Sequence, residues 1–251
     1  MAEYGLAGKT ALVTGGSRGI GRAVVLALAA EGANVAINYV ANDKAAEETR
    51  TLAAAHGVAC RTYKADVSEP DQVNTMIKAI EADMGPVDLL VANAGYAAME
   101  KPGDLNFETW QSMMKTNADG TFLPVAATAP GMAERGYGRI VCVVSVAALR
   151  ARPGMISYSA SKAAIVAFAR GCAEAFAPDV RVNCIAPGLI DTDLGDELGD
   201  ELKQKLVEAT PLKRIGKPED IADAVLYLLS DRASFTTGQV VVASGGRVTV
   251  P

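Results

Sequence analysis

The sequence predicts an α/β fold: a doubly wound, seven-stranded parallel sheet flanked by helices on both faces. Three observations lead there. Seven short apolar, β-branched runs are spread along the chain. Helical patterns separate them, so that strands and helices alternate. The runs are apolar throughout instead of alternating with polar residues, which means burial on both faces of the sheet.

The strand-like runs are 10–14, 35–39, 58–65, 87–92, 139–146, 181–186 and 239–243. Helical stretches lie near 20–31, 42–55, 69–84, 106–135, 157–177 and 218–230. No repeat, low-complexity segment or Pro/Gly/Ser-rich linker divides the 251 residues, so a single domain, 1–251, is expected. Half of the residues are apolar, enough for a sizeable core. Sheets of this kind bind ligands at the carboxyl ends of their strands. Function is therefore sought in the residues that follow each strand.

Composition narrows the partners. The net charge is −5 and no basic stripe is visible, which argues against nucleic acid. The longest strongly apolar run, 140–149, is too short to span a bilayer. The first residues lack the basic region and apolar stretch of a signal peptide. A cytoplasmic protein with no membrane partner is expected. The four cysteines, Cys60, Cys142, Cys172 and Cys184, form no CxxC pair and no metal spacing, and read as buried thiols with no metal site. His56 is the single histidine, beside a Gly57 that suits a helix C-cap, so it reads as a solvated helix end. A triad hydrolase would have to use His56, and no G-x-S-x-G elbow surrounds any serine, which argues against triad hydrolysis.

After the first strand comes Thr14-Gly15-Gly16-Ser17-Arg18-Gly19-Ile20-Gly21, and a helix follows. Glycines let the backbone approach a pyrophosphate, and the helix N-terminus offers N–H groups and a positive dipole. The second strand ends Asn38-Tyr39, two residues counted with this cofactor site, and it lacks the carboxylate that would hold a ribose 2′-hydroxyl. Arg18 meanwhile can meet a 2′-phosphate. Both features favour NADP(H), and NAD(H) stays open. Asp66 and Val67 follow the third strand, where a carboxylate can accept from the adenine amino group. Asn93, Ala94 and Gly95 follow the fourth, where small residues leave room for a ribose.

Tyr158 and Lys162 lie four residues apart at the start of a helix and so share one face. A phenol is a poor base at neutral pH, but a nearby ammonium and an oxidised nicotinamide stabilise phenolate and lower its pKa. That makes a usable acid/base for carbonyl chemistry. Ser145, taken as the end of the fifth strand, can hold the substrate oxygen. Asn117 lies inside a long helix, where an amide is unfavourable unless it has a role.

On TGGSRGIG (14–21), Asp66-Val67, NAG (93–95), Asn117, Ser145, YSASK (158–162) and Pro187-Gly188 with Thr192, the chain resembles the short-chain dehydrogenase/reductases over nearly its full length. The resemblance implies a Rossmann-type domain and hydride transfer between NADP(H) and a carbonyl or secondary alcohol. It implies a tetrad in which Ser145 polarises the carbonyl, Tyr158 delivers the proton, Lys162 binds the nicotinamide ribose and Asn117 holds a relay water. It also brings Pro187, Gly188, Ile190 and Thr192 to the nicotinamide end of the cofactor, and it implies a homotetramer.

The subgroup most similar in motif order is the β-ketoacyl-acyl-carrier-protein reductases, which makes an acyl-thioester carbonyl one substrate to expect. An acyl carrier protein is a partner the resemblance allows. Arg135 matches one of the basic positions that hold it, whereas Glu174 stands at the other and opposes an acidic carrier. Ser244 replaces an acid often found before the terminal glycine pair. Two further readings stay open: an NAD(H)-dependent dehydrogenase of a small alcohol, and a non-enzymatic dinucleotide-binding sensor or scaffold. The substrate pocket is expected from Tyr96–Met99, Val146–Leu149, Met155 and a lid at about 189–210. It is mostly apolar, with Arg150 and Arg152 at the rim or solvated.

Overall fold

A computed structural model describes residues 4–101, 103–150, 152–192 and 200–249. It has seven strands: β1 (Thr10–Val13), β2 (Asn34–Tyr39), β3 (Cys60–Lys64), β4 (Leu89–Ala92), β5 (Gly138–Val143), β6 (Val180–Pro187) and β7 (Val240–Ala243). They form one sheet in the order β3-β2-β1-β4-β5-β6-β7, and every pairing is parallel. The helices are α1 (Gly19–Ala30), α2 (Asp43–Ala54), α3 (Pro70–Met84), α4 (Phe107–Met113), α5 (Gly120–Glu134), α6 (Ile156–Ala175), α7 (Asp200–Glu208) and α8 (Pro218–Leu229).

Two cores sandwich the sheet. On one face Leu12, Leu90, Cys142 and Cys184 pack against α3, α5 and α6 through Ile77, Val125 and Ile165. On the other, Val13, Ile37, Val91 and Ile185 pack against α1 and α8 through Val24, Leu28, Ile221 and Val225. Successive strand residues point to opposite faces, so the central strands β1 and β4 are apolar and buried almost throughout, whereas the edge strand β3 carries Arg61, Thr62 and Lys64. All four cysteines are buried and unbridged, and His56 is exposed beside Gly57, whose φ of +80° closes the end of α2.

The strand order runs outward in both directions from β1 and β4. The loops leaving these neighbours therefore diverge and open a crevice at their carboxyl ends. Several boundaries differ from the sequence reading. The third strand is trimmed to Cys60–Lys64, and the fifth ends at Val143, so Ser145 lies beyond the strand. The helix expected over 106–135 is interrupted: a π-helical turn, Met114–Asp119, joins α4 to α5. Apolar periodicity is too coarse to register one extra residue per turn.

Candidate active site

At the β1/β4 crevice two loops are sewn together. Thr14 Oγ1 accepts from the Asn93 and Ala94 backbone N–H groups at 2.9 and 3.0 Å. Asn93 Nδ2 donates to the carbonyls of Thr14 and Gly15 at 3.0 and 3.2 Å. A Cβ on Gly21 would stand 2.2 Å from the Gly15 oxygen and 2.7 Å from Asn93 Nδ2, so only glycine lets α1 start this close to the loop. Ser17 is buried, and its carbonyl accepts from Arg22 and Thr49. Arg18 is exposed at the N-cap of α1 and gives no side-chain cap, and the first turn holds no acid. The N–H groups of Gly19, Ile20 and Gly21 thus head an uncapped helix terminus, which fits a pyrophosphate.

The loop after β6 folds back over this cradle. Thr192 Cγ2 lies 3.3 Å from where a Gly19 Cβ would stand, at a φ of +52°. Gly188 N donates to the Ala243 carbonyl at 2.8 Å, and Ile190 pairs with Gly216 in a parallel bridge. Pro187, Gly188, Ile190 and Thr192 therefore run along the crevice toward α1.

The remaining dinucleotide candidates divide. Asn38 is buried beneath the loop with its amide fully occupied: Oδ1 accepts from Gly15 N at 3.3 Å, and Nδ2 donates to the carbonyls of Ala65 (2.9 Å) and Tyr63 (3.3 Å). Its carbonyl also accepts from Gly16 N at 2.8 Å, so its visible work is to brace the loop. The Tyr39 hydroxyl donates to Asp43 at 2.8 Å, which raises the phenol pKa and lowers that of Asp43. Asp66 Oδ1 accepts from the N–H and hydroxyl of Ser68, closing a turn at the end of β3. Val67 is buried where Gly120 opens α5.

The second group of side chains converges over β4 and β5. Ser145 is the extended residue that starts a short 3-10 turn, Val146–Ala148, and its Oγ accepts from Ala147 N at 3.1 Å. The same hydroxyl is the one group near the Tyr158 phenol that works to lower its pKa. Tyr158 and Lys162 come from successive turns of α6. Lys162 is buried, with Nζ donating to the Val143 carbonyl at 2.9 Å and lying 5.9 Å from the Tyr158 ring centre. Burial pulls the Lys162 pKa to about 8, opposed by the Cys142 and Cys184 sulfurs. The sequence reading has Lys162 lower the Tyr158 pKa. Burial dominates and raises it, and only Ser145 works the other way, because the Lys162 ammonium is aimed at Val143.

Asn117 sits on the π-helical turn with no exposure. Its Oδ1 accepts from Tyr96 N at 2.9 Å, and its Nδ2 donates to Tyr96 O and Ser161 Oγ, each at 3.0 Å. The amide thereby ties the loop after β4 to α6. Gly95 lies in the same knot: a Cβ there would stand 2.7 Å from Asn117 Oδ1 and 3.3 Å from Lys162 Nζ.

Two contributors escaped the sequence reading. Thr14 reads in the sequence only as the first residue of the glycine loop, whereas its hydroxyl joins that loop to the one after β4. Glu100 was not singled out, yet it is buried and its carboxylate accepts from both the backbone N–H and the hydroxyl of Ser157, the residue before Tyr158. The only signal was one acid closing the run Tyr96–Met99.

A groove lined by Leu189, Ile190, Leu206, Val207 and Leu212, with Thr210, Arg214 and Asp220 as polar walls, lies at the ends of β6 and β7; Tyr96–Met99, Val146–Leu149 and Met155 do not line it. Asp193, Asp196 and Glu197 of the expected lid fall outside the described residues, as do the side chains of Asp200 and Glu201. Among the described residues, no cluster of His, Cys, Asp and Glu could hold a metal, and no helix is long and apolar enough to cross a membrane.

Comparison with known proteins agrees with this geometry. A family model described as enoyl-(acyl-carrier-protein) reductase matches residues 15–247. The 3-oxoacyl-[acyl-carrier-protein] reductase of Staphylococcus epidermidis is 38% identical over 239 residues, covering 95% of this chain and 98% of its own. A 7α-hydroxysteroid dehydrogenase complexed with NADH and 7-oxo glycochenodeoxycholic acid superposes with a TM-score of 0.93 at 33% identity, covering 97% of this chain and 96% of that one. A gluconate 5-dehydrogenase from Burkholderia cenocepacia, in complex with NADP and tartrate, gives 0.92 at 32%, with coverage of 98% and 97%. With the glycine cradle, the parallel seven-stranded sheet and the Tyr158–Lys162 pair on one side, and relatives at this identity over nearly the whole chain on the other, the protein belongs to the short-chain dehydrogenase/reductase family of oxidoreductases.

Proposed function

We propose that the protein is an NADP(H)-dependent carbonyl reductase in which Asn117, Ser145, Tyr158 and Lys162 form the catalytic set, and that 3-oxoacyl thioesters are its substrate class. The observation carrying this reading is the Tyr158–Lys162 pair, Nζ 5.9 Å from the ring centre and buried against the Val143 carbonyl, with Ser145 beside the phenol and a cradle that fits a dinucleotide. The bound dinucleotide supplies the hydride. Ser145 donates a hydrogen bond to the substrate carbonyl oxygen. Burial keeps the Tyr158 phenol protonated at neutral pH, so it is ready to give that oxygen a proton. Lys162, with a pKa of about 8, carries positive charge at pH 7 and stabilises the phenolate left behind. Asn117 holds Tyr96 and Ser161 so that the loop and α6 keep their spacing.

The preference for NADP(H) is supported by exposed Arg18 at the head of α1 and by the lack of an acid at the end of β2. The thioester class is supported by the Staphylococcus epidermidis relative. A carrier-protein partner is less well supported, because the Arg135 guanidinium donates inward to the Val87 carbonyl at 2.8 Å and Glu174 is exposed. The chain would work as one catalytic domain in the cytoplasm. It would assemble as a homotetramer through α5 and α6, where exposed Phe122 packs on Phe168 and leaves an apolar face. The deciding experiment follows NADPH and NADH oxidation with acetoacetyl thioesters and simple ketones. Turnover with NADPH on the thioesters is expected, and dinucleotide binding with no turnover on any carbonyl would favour a sensor or scaffold.

A further inference from the structure

Three arginines gather where the loop after β5 meets the segment after β7. Arg150 follows the 3-10 turn that begins at Ser145, its backbone N–H bonded to the Val146 carbonyl at 3.0 Å. Arg152 lies in the turn leading to α6, with its carbonyl accepting from Met155 N at 2.9 Å. Arg247 comes from the other side, after the glycine pair that follows β7. The Arg150 guanidinium reaches the Arg247 carbonyl at 3.5 Å. Arg152 is half-buried, and its pKa is held below the usual arginine range by burial first, then by the charges of Arg247 and Arg150. Among the described residues, none of the three is paired with a carboxylate.

Sheet order says which half of the site this is. The dinucleotide cradle lies at β1 and β4, whereas Arg150 and Arg152 lie in the loop that leaves β5 through Ser145, and Arg247 follows β7, the edge strand at the opposite end of the sheet from β3. That is where the part of a substrate remote from its carbonyl must lie. Like charges gathered in a protein of net charge −5 repel one another unless an anion joins them. Guanidinium groups are also the side chains best shaped to take two oxygens at once.

We propose that Arg150, Arg152 and Arg247 form an anion-binding subsite that selects carbonyl substrates bearing a carboxylate or phosphate group remote from the ketone. This rests on the reductase reading and narrows its substrate class.

The test uses two matched pairs with NADPH: levulinate against ethyl levulinate, and acetoacetyl-coenzyme A against acetoacetyl-N-acetylcysteamine. Wild type should favour the anionic member of at least one pair, and the pair favoured tells carboxylate from phosphate. In Arg152→Gln and Arg247→Gln the ratio of kcat/KM, anionic over neutral, should fall by about tenfold or more, through KM. Arg247→Glu should invert the preference. Salt should erode it in wild type and much less in the variants. An unchanged ratio in all three variants overturns the proposal. So does a change in oligomeric mass with the ratio intact, since the arginines would then hold a second copy of the chain. If wild type reduces none of the four compounds, the reductase reading fails and the subsite is judged by thermal shift. Stabilisation by levulinate or coenzyme A, absent with the neutral partner and lost in Arg152→Gln, upholds it; no such difference sinks it.

Discussion

The Glu100 carboxylate grips Ser157 at two points, accepting its backbone N–H at 2.7 Å and its hydroxyl at 2.6 Å. Glu100 N also donates to the Gly154 carbonyl at 2.9 Å, so the loop after β4 is fastened to the first turn of α6. Tyr158 is the next residue along. In Glu100→Ala both Ser157 donors lose their acceptor, and leaving a buried donor unsatisfied costs about 1–3 kcal/mol. We expect a lower denaturation midpoint and a fall in kcat of about tenfold as the first turn of α6 loosens. The KM for NADPH should hardly change, because Glu100 touches none of the cradle. Turnover at the wild-type level in a destabilised variant would show that Glu100 serves stability alone.

Tyr158→Phe keeps the ring and removes only the hydroxyl beside Ser145. Turnover should drop by roughly 10²–10⁴-fold while NADPH affinity, read by fluorescence titration, stays near the wild-type value. Ser145→Ala should also lower turnover, and the double variant should be little worse than Tyr158→Phe, since the two act as a unit. Near-normal ketone reduction by Tyr158→Phe would rule out the phenol as proton donor.

Arg18→Ala tests cofactor choice. One charge-assisted contact to a 2′-phosphate is worth about 1.5–3 kcal/mol, or roughly a 10- to 100-fold rise in the Kd for NADPH. NADH has no such phosphate, so its Kd should move much less. Equal losses for the two dinucleotides would mean that Arg18 does not read the phosphate.

Lys162 predicts a pH dependence of stability. Its pKa is about 8 in the folded protein and about 10.4 when exposed. Below pH 8 both states hold the proton, and the penalty for burying the ammonium is fully present. Between 8 and 10.4 the unfolded chain binds more protons, so this group makes stability rise with pH. Lys162→Met removes the titration. The inactive variant should be more stable than wild type at pH 7 by about 1–2 kcal/mol, after the lost bond to Val143 is counted. That advantage should vanish above pH 10. Denaturant midpoints at pH 7, 9 and 10.5 measure it, and a constant difference would show that the ammonium is not held at a cost.

The parts of this molecule that could be read from sequence are those whose chemistry is local. The glycine loop sits between a strand and a helix it immediately joins, and Tyr158 and Lys162 share a face because they are one helical turn apart. The sheet was legible because strands buried on both faces must be apolar without a break. What stayed hidden depends on partners far along the chain. Glu100 meets Ser157 across 57 positions, and Thr14 meets Asn93 across 79. Asn38 reads as a cofactor contact beside the loop, and only the folded chain shows its amide occupied by Gly15, Tyr63 and Ala65. Arg150, Arg152 and Arg247 look like unrelated surface charges until β5 and β7 are brought to the same edge.

The π-helical turn at Met114–Asp119 also sets a phase. Each helical residue advances the face by about 100°, so one surplus residue decides how α4 is rotated relative to α5. Phe107 and Trp110 face outward on one side of that surplus, and Val125 and Met132 face the core on the other. Deleting a single residue from the turn would regularise the helix and put its two halves out of step. Asn117 would swing away from Tyr96 and Ser161, or Met113 would leave the core. The segment thus tolerates substitution far better than any change in length, and the irregular turn is the device that lets one continuous helix serve a packed interior and a polar knot at once.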